Sequence, residues 1–142
     1  MFVSKALKIN SKNHLEIGGC DCVDLVNEYG TPLYVMDEGL IRENCGLYKN
    51  AMDKYYNGNG LVLYASKALC TMAMCRIAQQ EGLGLDVVSG GELYTAIKAG
   101  FPMDRIYFHG NNKTMEELEL AIDSNIRRIV VDNRQELHRI NE

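Results

Sequence analysis

Short apolar runs rich in β-branched and aromatic residues recur along the chain at similar intervals. Between the runs, apolar residues such as Ala73 and Ile77, or Leu118 and Ile122, follow one another at helical spacing. The pattern therefore predicts strands that alternate with helices. The five predicted strands are Leu33–Met36, Leu61–Ala65, Leu85–Val88, Arg105–Phe108 and Arg128–Val131.

Several helix boundaries are marked by capping residues. Ser89–Glu92 and Thr114–Glu117 fit a capping box, in which a hydroxyl and a glutamate satisfy backbone amides at the start of a helix. Asn133–Glu136 is a weaker example of the same pattern. At the other end of a helix, Gly100 before Phe101-Pro102 is typical of a stop. These signals strengthen the prediction of a repeating strand and helix unit.

Apolar strands that alternate with helices are typical of a parallel sheet covered by helices. Two architectures have this pattern, an open doubly wound sheet and a (β/α)8 barrel. A complete barrel needs about 250 residues. Five units in a chain of 142 residues would therefore form an open arc with strands missing.

The two ends of the chain differ from this repeat. Within Phe2–Cys20, apolar residues predict a strand pair that turns at Asn10–Asn13. We expect this stretch to belong to another structural unit. The last residues, Asn133–Glu142, begin a helix without a stop signal, and we expect the chain to be part of a longer one.

Composition and charge exclude several classes of function. The chain is 46% hydrophobic and has a net charge of -4, so it offers no basic surface for nucleic acid or an anionic membrane. Cys20 and Cys22 form a C-x-C rather than the C-x-x-C of a zinc knuckle, and we expect five free thiols and no metal site. Met1–Cys20 contains no apolar run typical of a signal peptide, which predicts a cytoplasmic location. Gly82–Val87 lacks the third glycine of a dinucleotide fingerprint.

Polar residues at the ends of the predicted strands are the candidates for chemistry, because parallel sheets place ligands at the carboxyl ends of their strands. Lys67 follows the second strand: a desolvated lysine there can form a Schiff base, whereas a solvent-reaching one has no special reactivity. Asp86 lies in the third apolar run, where its carboxylate needs a partner such as Lys67 or a cofactor.

Two further candidates have alternative structural explanations. Glu92 is either the acid of the capping box or a residue of the site. His109, after the fourth strand, is either a hydrogen-bonding group of the core or part of a cofactor pocket. Asn111–Lys113 is interpreted first as a polar turn that leads to the Thr114 cap.

Longer motifs carry a family resemblance that spans nearly the whole chain. These motifs are His14–Gly19, Gly30–Val35, Tyr64–Ala68, Gly84–Leu93, Ala99–Pro102 and Phe108–Lys113. Through them the chain resembles the diaminopimelate decarboxylases, which belong to the alanine-racemase-like pyridoxal-phosphate enzymes and are built from a TIM barrel and a β domain.

The resemblance implies a fold and a function. It implies a partial (β/α)8 barrel at residues 25–142, after an N-terminal segment at 1–24 that is associated with the β domain. The implied reaction is the decarboxylation of meso-diaminopimelate to L-lysine with pyridoxal 5'-phosphate, in a homodimer. Lys67 matches the catalytic lysine that binds the cofactor, Asp86 an acidic residue beside it, and Glu92 and His109 residues near the cofactor.

Later elements of the family have no counterpart in the chain, including its glycine-rich phosphate loop. We therefore expect these 142 residues alone to bind the cofactor weakly and to be inactive. The alternatives are a non-catalytic remnant that associates with a full-length relative, and a small pyridoxal-phosphate carrier protein.

Overall fold

The computed structural model describes residues 4–142, so Phe2 and Val3 of the predicted strand segment lie outside the described residues. Internal contacts divide the chain into two units, Met1–Asn44 and Cys45–Glu142. The strands are β1 Leu7–Ile9, β2 Leu15–Ile17, β3 Cys20–Asp21, β4 Leu63–Ala65, β5 Gly84–Val87, β6 Ile106–Phe108 and β7 Arg128–Ile129. The α-helices are α1 Cys22–Tyr29, α2 Glu38–Tyr56, α3 Met72–Gln80, α4 Gly90–Ala99, α5 Met115–Asp123 and α6 Arg134–Asn141. Short 3-10 turns occupy Ser66–Ala68 and Met103–Arg105.

The first unit contains an antiparallel sheet in the order β1-β2-β3. The predicted strand pair and its turn are confirmed, with Leu7 opposite Ile17 and Ile9 opposite Leu15. In the turn, the Asn10 side-chain oxygen accepts hydrogen bonds from the amides of Lys12 and His14, both at 3.0 Å. The third strand, β3, was not predicted, because two residues are too few to show an alternating pattern.

Asp21 joins this sheet to helix α1. Its carboxylate accepts the amide of Val23 at 2.9 Å, which caps the helix, and the side chains of Asn10 at 2.8 Å and His14 at 3.0 Å. Desolvation raises the pKa of Asp21, but hydrogen bonds from Asn10, His14 and the backbone outweigh it, and the pKa lies below its ordinary value.

The second unit is built on a parallel sheet in the order β4-β5-β6-β7. Leu85, Val87, Ile106 and Phe108 are fully buried on one face of this sheet. Leu93 and Ala96 of α4, and Leu118 and Ala121 of α5, are equally buried. One face of the sheet is therefore covered by helices, as the apolar pattern predicted.

The other face of the sheet carries the row Ala65, Asp86, Tyr107 and Arg128, which are register partners on the four strands. Successive side chains of a strand point to opposite faces. Asp86 and Tyr107 are half-buried and Arg128 is exposed, in contrast to their buried neighbours. A parallel sheet with one covered and one open face agrees with the predicted partial barrel.

One predicted strand is absent. Leu33–Met36 makes no strand hydrogen bonds, and Tyr34 is 98% exposed. A segment with high strand propensity forms a strand only where the backbone of another segment pairs with it. Leu33–Met36 belongs to the first unit and is not part of the four-stranded sheet. The prediction of Leu33–Met36 as a strand was therefore wrong. The other four are confirmed, three with shorter bounds and β5 shifted by one residue.

The lowered pKa of Asp21 predicts an acid-sensitive contribution to stability. The pKa of Asp21 is lower in the folded state than in the unfolded state, where it is about 4, so the ionised carboxylate stabilises the fold when the pH is above about 4. This stabilisation is lost as the pH falls through the folded-state pKa. Asp21→Asn retains a capping oxygen but removes the charge, so it should weaken the acid dependence of unfolding below about pH 4. Unfolding followed by circular dichroism as a function of pH measures the effect.

The matched control is Asp24→Asn, because Asp24 lies in the first turn of the same helix and its ion pair to Lys12 is exposed. It should change the acid dependence less than Asp21→Asn. Equal effects of the two substitutions would contradict the role assigned to Asp21.

Candidate cofactor-binding site

Residues at the carboxyl ends of all four parallel strands meet around one cavity. It has a volume of about 510 Å³ and is lined by Lys67, Val88, His109, Gly110, Asn111, Asn112 and Asp132. Val88 and His109 directly follow β5 and β6. The parallel pairing thus brings together residues that are far apart in sequence.

Lys67 lies in the 3-10 turn that directly follows β4, and its side chain is exposed. Within residues 4–142 its amine has no hydrogen-bond or ion-pair partner. The desolvation considered for Lys67 from its sequence context is therefore absent in this chain. Within the described residues Lys67 therefore fits the solvent-reaching alternative, and it lines the cavity without a partner of its own.

The backbone from which Lys67 projects is fixed by Ser66, which is completely buried. The Ser66 hydroxyl lies 2.9 Å from the Asp86 carbonyl oxygen and 2.6 Å from the Glu92 carboxylate, both of which can accept its hydrogen bond. These contacts connect the lysine turn to β5 and to α4.

The Glu92 carboxylate oxygen that accepts the Ser66 hydroxyl also accepts the Val88 amide, at 3.0 Å. The predicted capping box is half formed, because the Ser89 hydroxyl accepts the Glu92 amide at 3.3 Å while the Glu92 side chain turns to Val88 and Ser66. Glu92 does not itself line the cavity. It binds Val88, which lines the cavity, and Ser66, which directly precedes the lining residue Lys67.

Asp86 is half-buried on the open face of the sheet, opposite Ala65 in the register. The structure does not pair it with Lys67, and within the described residues its carboxylate has no partner. An unpaired carboxylate next to the lysine strand is available to a cationic group at that face.

His109 is exposed and lines the cavity, and its backbone amide donates to the Val87 carbonyl oxygen at 2.8 Å. Of the two interpretations of this histidine, the structure therefore favours the pocket over the core. Asn111, Asn112 and Asp132 also line the cavity, although the sequence analysis did not select them as site residues. In the sequence, the only indication that these three residues belong to a site was their position after a predicted strand.

Comparisons with known proteins agree with this geometry. A family model described as "Pyridoxal-dependent decarboxylase, pyridoxal binding domain" matches residues 38–142. The diaminopimelate decarboxylase of Bacillus methanolicus is 55% identical over 137 residues, which cover 96% of this chain and 32% of that relative. The corresponding enzyme of Bacillus subtilis is 53% identical over 140 residues, covering 96% of this chain and 31% of the relative.

The fold has a solved counterpart. A crystal structure of diaminopimelate decarboxylase from M. jannaschii in complex with L-lysine superposes with a TM-score of 0.86 and 38% identity, covering 99% of this chain and 33% of that one. The chain thus spans about a third of the length of the curated relatives it matches.

The residues of the cavity fit the reactive part of pyridoxal phosphate. Lys67 supplies a free primary amine, the group that condenses with an aldehyde. The side chains of His109, Asn111 and Asn112 supply hydrogen-bonding groups for polar ring substituents. Among the residues of the described chain that line the cavity, Lys67 is the one cation. These lining residues therefore offer the phosphate group of the cofactor no further cationic partner.

The contacts of Ser66 predict a loss of stability when its hydroxyl is removed. Ser66→Ala leaves the Glu92 oxygen without one of its two partners at the completely buried Ser66 position, and we expect the free energy of unfolding to fall by about 1–3 kcal/mol. Denaturation in urea measures this change.

Thr95→Ala is the matched control, because Thr95 lies on the same helix and its half-buried hydroxyl donates only to Gly91 within that helix, at 2.9 Å. This substitution should change the free energy of unfolding by less than about 0.5 kcal/mol. The assignment fails if Ser66→Ala is no more destabilising than Thr95→Ala.

Proposed function

Since the chain belongs to the pyridoxal-dependent decarboxylases, through their pyridoxal binding domain, we propose that it carries the cofactor-binding lysine of a diaminopimelate decarboxylase. The reaction is the decarboxylation of meso-diaminopimelate to L-lysine. The observation that carries the proposal is the free Lys67 amine in a cavity at the strand ends, in a chain 55% identical to such an enzyme. When bound, pyridoxal phosphate supplies an electron-accepting ring for the electron pair left by the departing carboxylate.

We assign Lys67 the central role in this site. Its amine binds the cofactor aldehyde covalently, and it is the catalytic residue of the chain. Glu92 acts through Ser66, by holding the turn from which Lys67 projects, and the distances of 2.6 and 3.0 Å from its carboxylate support this role. It is therefore a positioning residue.

Two other residues orient the cofactor in this proposal. His109 lines the cavity beside Lys67, where its ring can contact the cofactor. Asp86 has a carboxylate without a partner in the described residues, and in this proposal it would hold a cationic group of the site through a charge-assisted hydrogen bond.

The proposal also covers the assembly of the whole protein. Residues 1–24 are assigned to the β domain and 25–142 to the barrel, in an enzyme that forms a homodimer in the cytoplasm. All five cysteines are free thiols, as suits a reducing compartment. No helix in residues 4–142 is long and apolar enough to cross a membrane.

We propose that these 142 residues alone bind pyridoxal phosphate weakly and do not turn over substrate. The cavity offers the aldehyde a partner, but its lining within the described chain offers the phosphate no cation besides Lys67. In the complete enzyme, residues of the remaining two thirds would supply that partner.

Chemical trapping locates the cofactor lysine. After incubation with pyridoxal phosphate and reduction with borohydride, mass spectrometry of peptides should find the label mainly at Lys67. Lys67→Arg should abolish this label, whereas Lys98→Arg, at an exposed lysine of α4, should leave it unchanged. Labelling of another lysine to the same extent as Lys67 would refute the assignment.

A chimera tests the reaction itself. This chain can replace the matching 140-residue region of the Bacillus subtilis diaminopimelate decarboxylase, to which it is 53% identical. We expect the chimera to release carbon dioxide and L-lysine from meso-diaminopimelate, and the same chimera with Lys67→Ala to have only background activity. A folded chimera that binds the cofactor but does not decarboxylate diaminopimelate would contradict the proposed substrate.

A further inference from the structure

A buried ion pair lies next to the cavity without lining it. The Lys113 ammonium is 2.6 Å from the Glu136 carboxylate, and the two side chains are 1% and 4% exposed. Lys113 was interpreted from the sequence as part of a polar turn, and Glu136 as the acid of a weak capping box. The structure instead places both charges in the interior of the second unit.

Lys113 also binds the backbone of two strand-end segments. Its ammonium donates to the Gly110 carbonyl oxygen at 2.6 Å and to the Val130 carbonyl oxygen at 2.9 Å. With the bond to Glu136, all three donors of the ammonium are used. One side chain therefore connects the segment after β6 to the segment after β7 and to helix α6.

The segment held by Lys113 forms a wall of the cavity. Gly110, Asn111 and Asn112 all line it, as does the preceding His109. Gly110 has a φ of 109°, and a Cβ atom there would lie 3.2 Å from the Val88 carbonyl oxygen. The segment thus runs close against the end of β5, and the Lys113 bond fixes its carbonyl group from the other side.

A contribution to stability does not explain why this pair is charged. Removing two charges from water is costly, and well-packed apolar residues of similar volume are often as stabilising as a buried ion pair. Apolar residues could not, however, bind the carbonyl oxygens of Gly110 and Val130. The distinctive result of a charged pair here is the fixed position of the two segments.

We propose that Lys113 and Glu136 are positioning residues of the cofactor site, which fix the Gly110–Asn112 wall against which pyridoxal phosphate binds beside Lys67. The inference rests on the proposed function, because it concerns the same cavity. Neither residue touches the cavity, so both act through the backbone of the wall.

The decisive variant is Lys113→Met/Glu136→Leu, which replaces both charges with apolar side chains. Since no lone charge remains buried, we expect its urea midpoint to be equal to or above that of Lys113→Met alone. Amide hydrogen exchange at His109 and Val130, whose amides donate to the Val87 and Phe108 carbonyl oxygens, should nevertheless be faster than in the wild-type chain. The concentration of pyridoxal phosphate that gives half-maximal borohydride labelling of Lys67 should rise by about tenfold.

The matched control is Lys49→Met/Asp53→Leu, which removes an exposed ion pair of 3.0 Å on α2. It should leave both the exchange and the labelling of Lys67 unchanged. Glu136→Gln gives an independent measurement should the decisive variant not fold, because it keeps the side-chain volume and an acceptor oxygen. We expect it to accelerate exchange at His109 and Val130 and to raise the half-maximal concentration, each less than the double substitution does.

Two results would overturn the inference. One is a folded double variant with wild-type exchange and wild-type labelling, and the other is Glu136→Gln indistinguishable from wild type in both measurements. Failure of the proposed function has a different signature, because Lys67 would then not be labelled preferentially even in the wild-type chain.

Discussion

The parallel pairing of β4 to β7 is the constraint on which the site depends. The register is set by burial: Leu85, Val87, Ile106 and Phe108 all lie on the helix-covered face, and a slip by one residue would turn each of them to the open face. Because the strands run in the same direction, this register also aligns their carboxyl ends. The same packing that stabilises the second unit therefore collects the residues of the cavity.

The strand ends themselves are held by charged side chains, one half-buried and one buried. Beyond the last ladder hydrogen bond, a strand-end segment needs other partners for its backbone groups. Glu92 provides one for the Val88 amide and fixes Ser66, and Lys113 provides one for the carbonyl oxygens of Gly110 and Val130. Each of these charged residues connects two strand ends, which explains how short segments can form a defined wall beside the Lys67 amine.

The site combines a free amine with incomplete surroundings. Lys67 and Asp86 are not paired with each other, and within the described chain neither has another side-chain partner. Their environment differs from the desolvated lysine and paired carboxylate considered from the sequence, because the face of the sheet that carries Asp86 is open. In a chain that spans about a third of its relatives, an open face and an unpaired carboxylate are consistent with a site to which other residues contribute.

Local sequence patterns were enough to predict the alternation of strands and helices, the antiparallel pair with its Asn10 turn, the capping box of α5 and the position of Lys67 after an apolar strand. These features depend on local periodicity, on residues a few positions apart, or on a motif shared with a family. Other features became evident only from the folded chain: Leu33–Met36 has no strand partner, the Glu92 carboxylate turns to Ser66, and Lys113 is buried with Glu136. Local patterns could not predict them, because they depend on which distant segment lies beside each residue. Charged residues in a polar sequence context give no sign of burial until packing brings their partners to them.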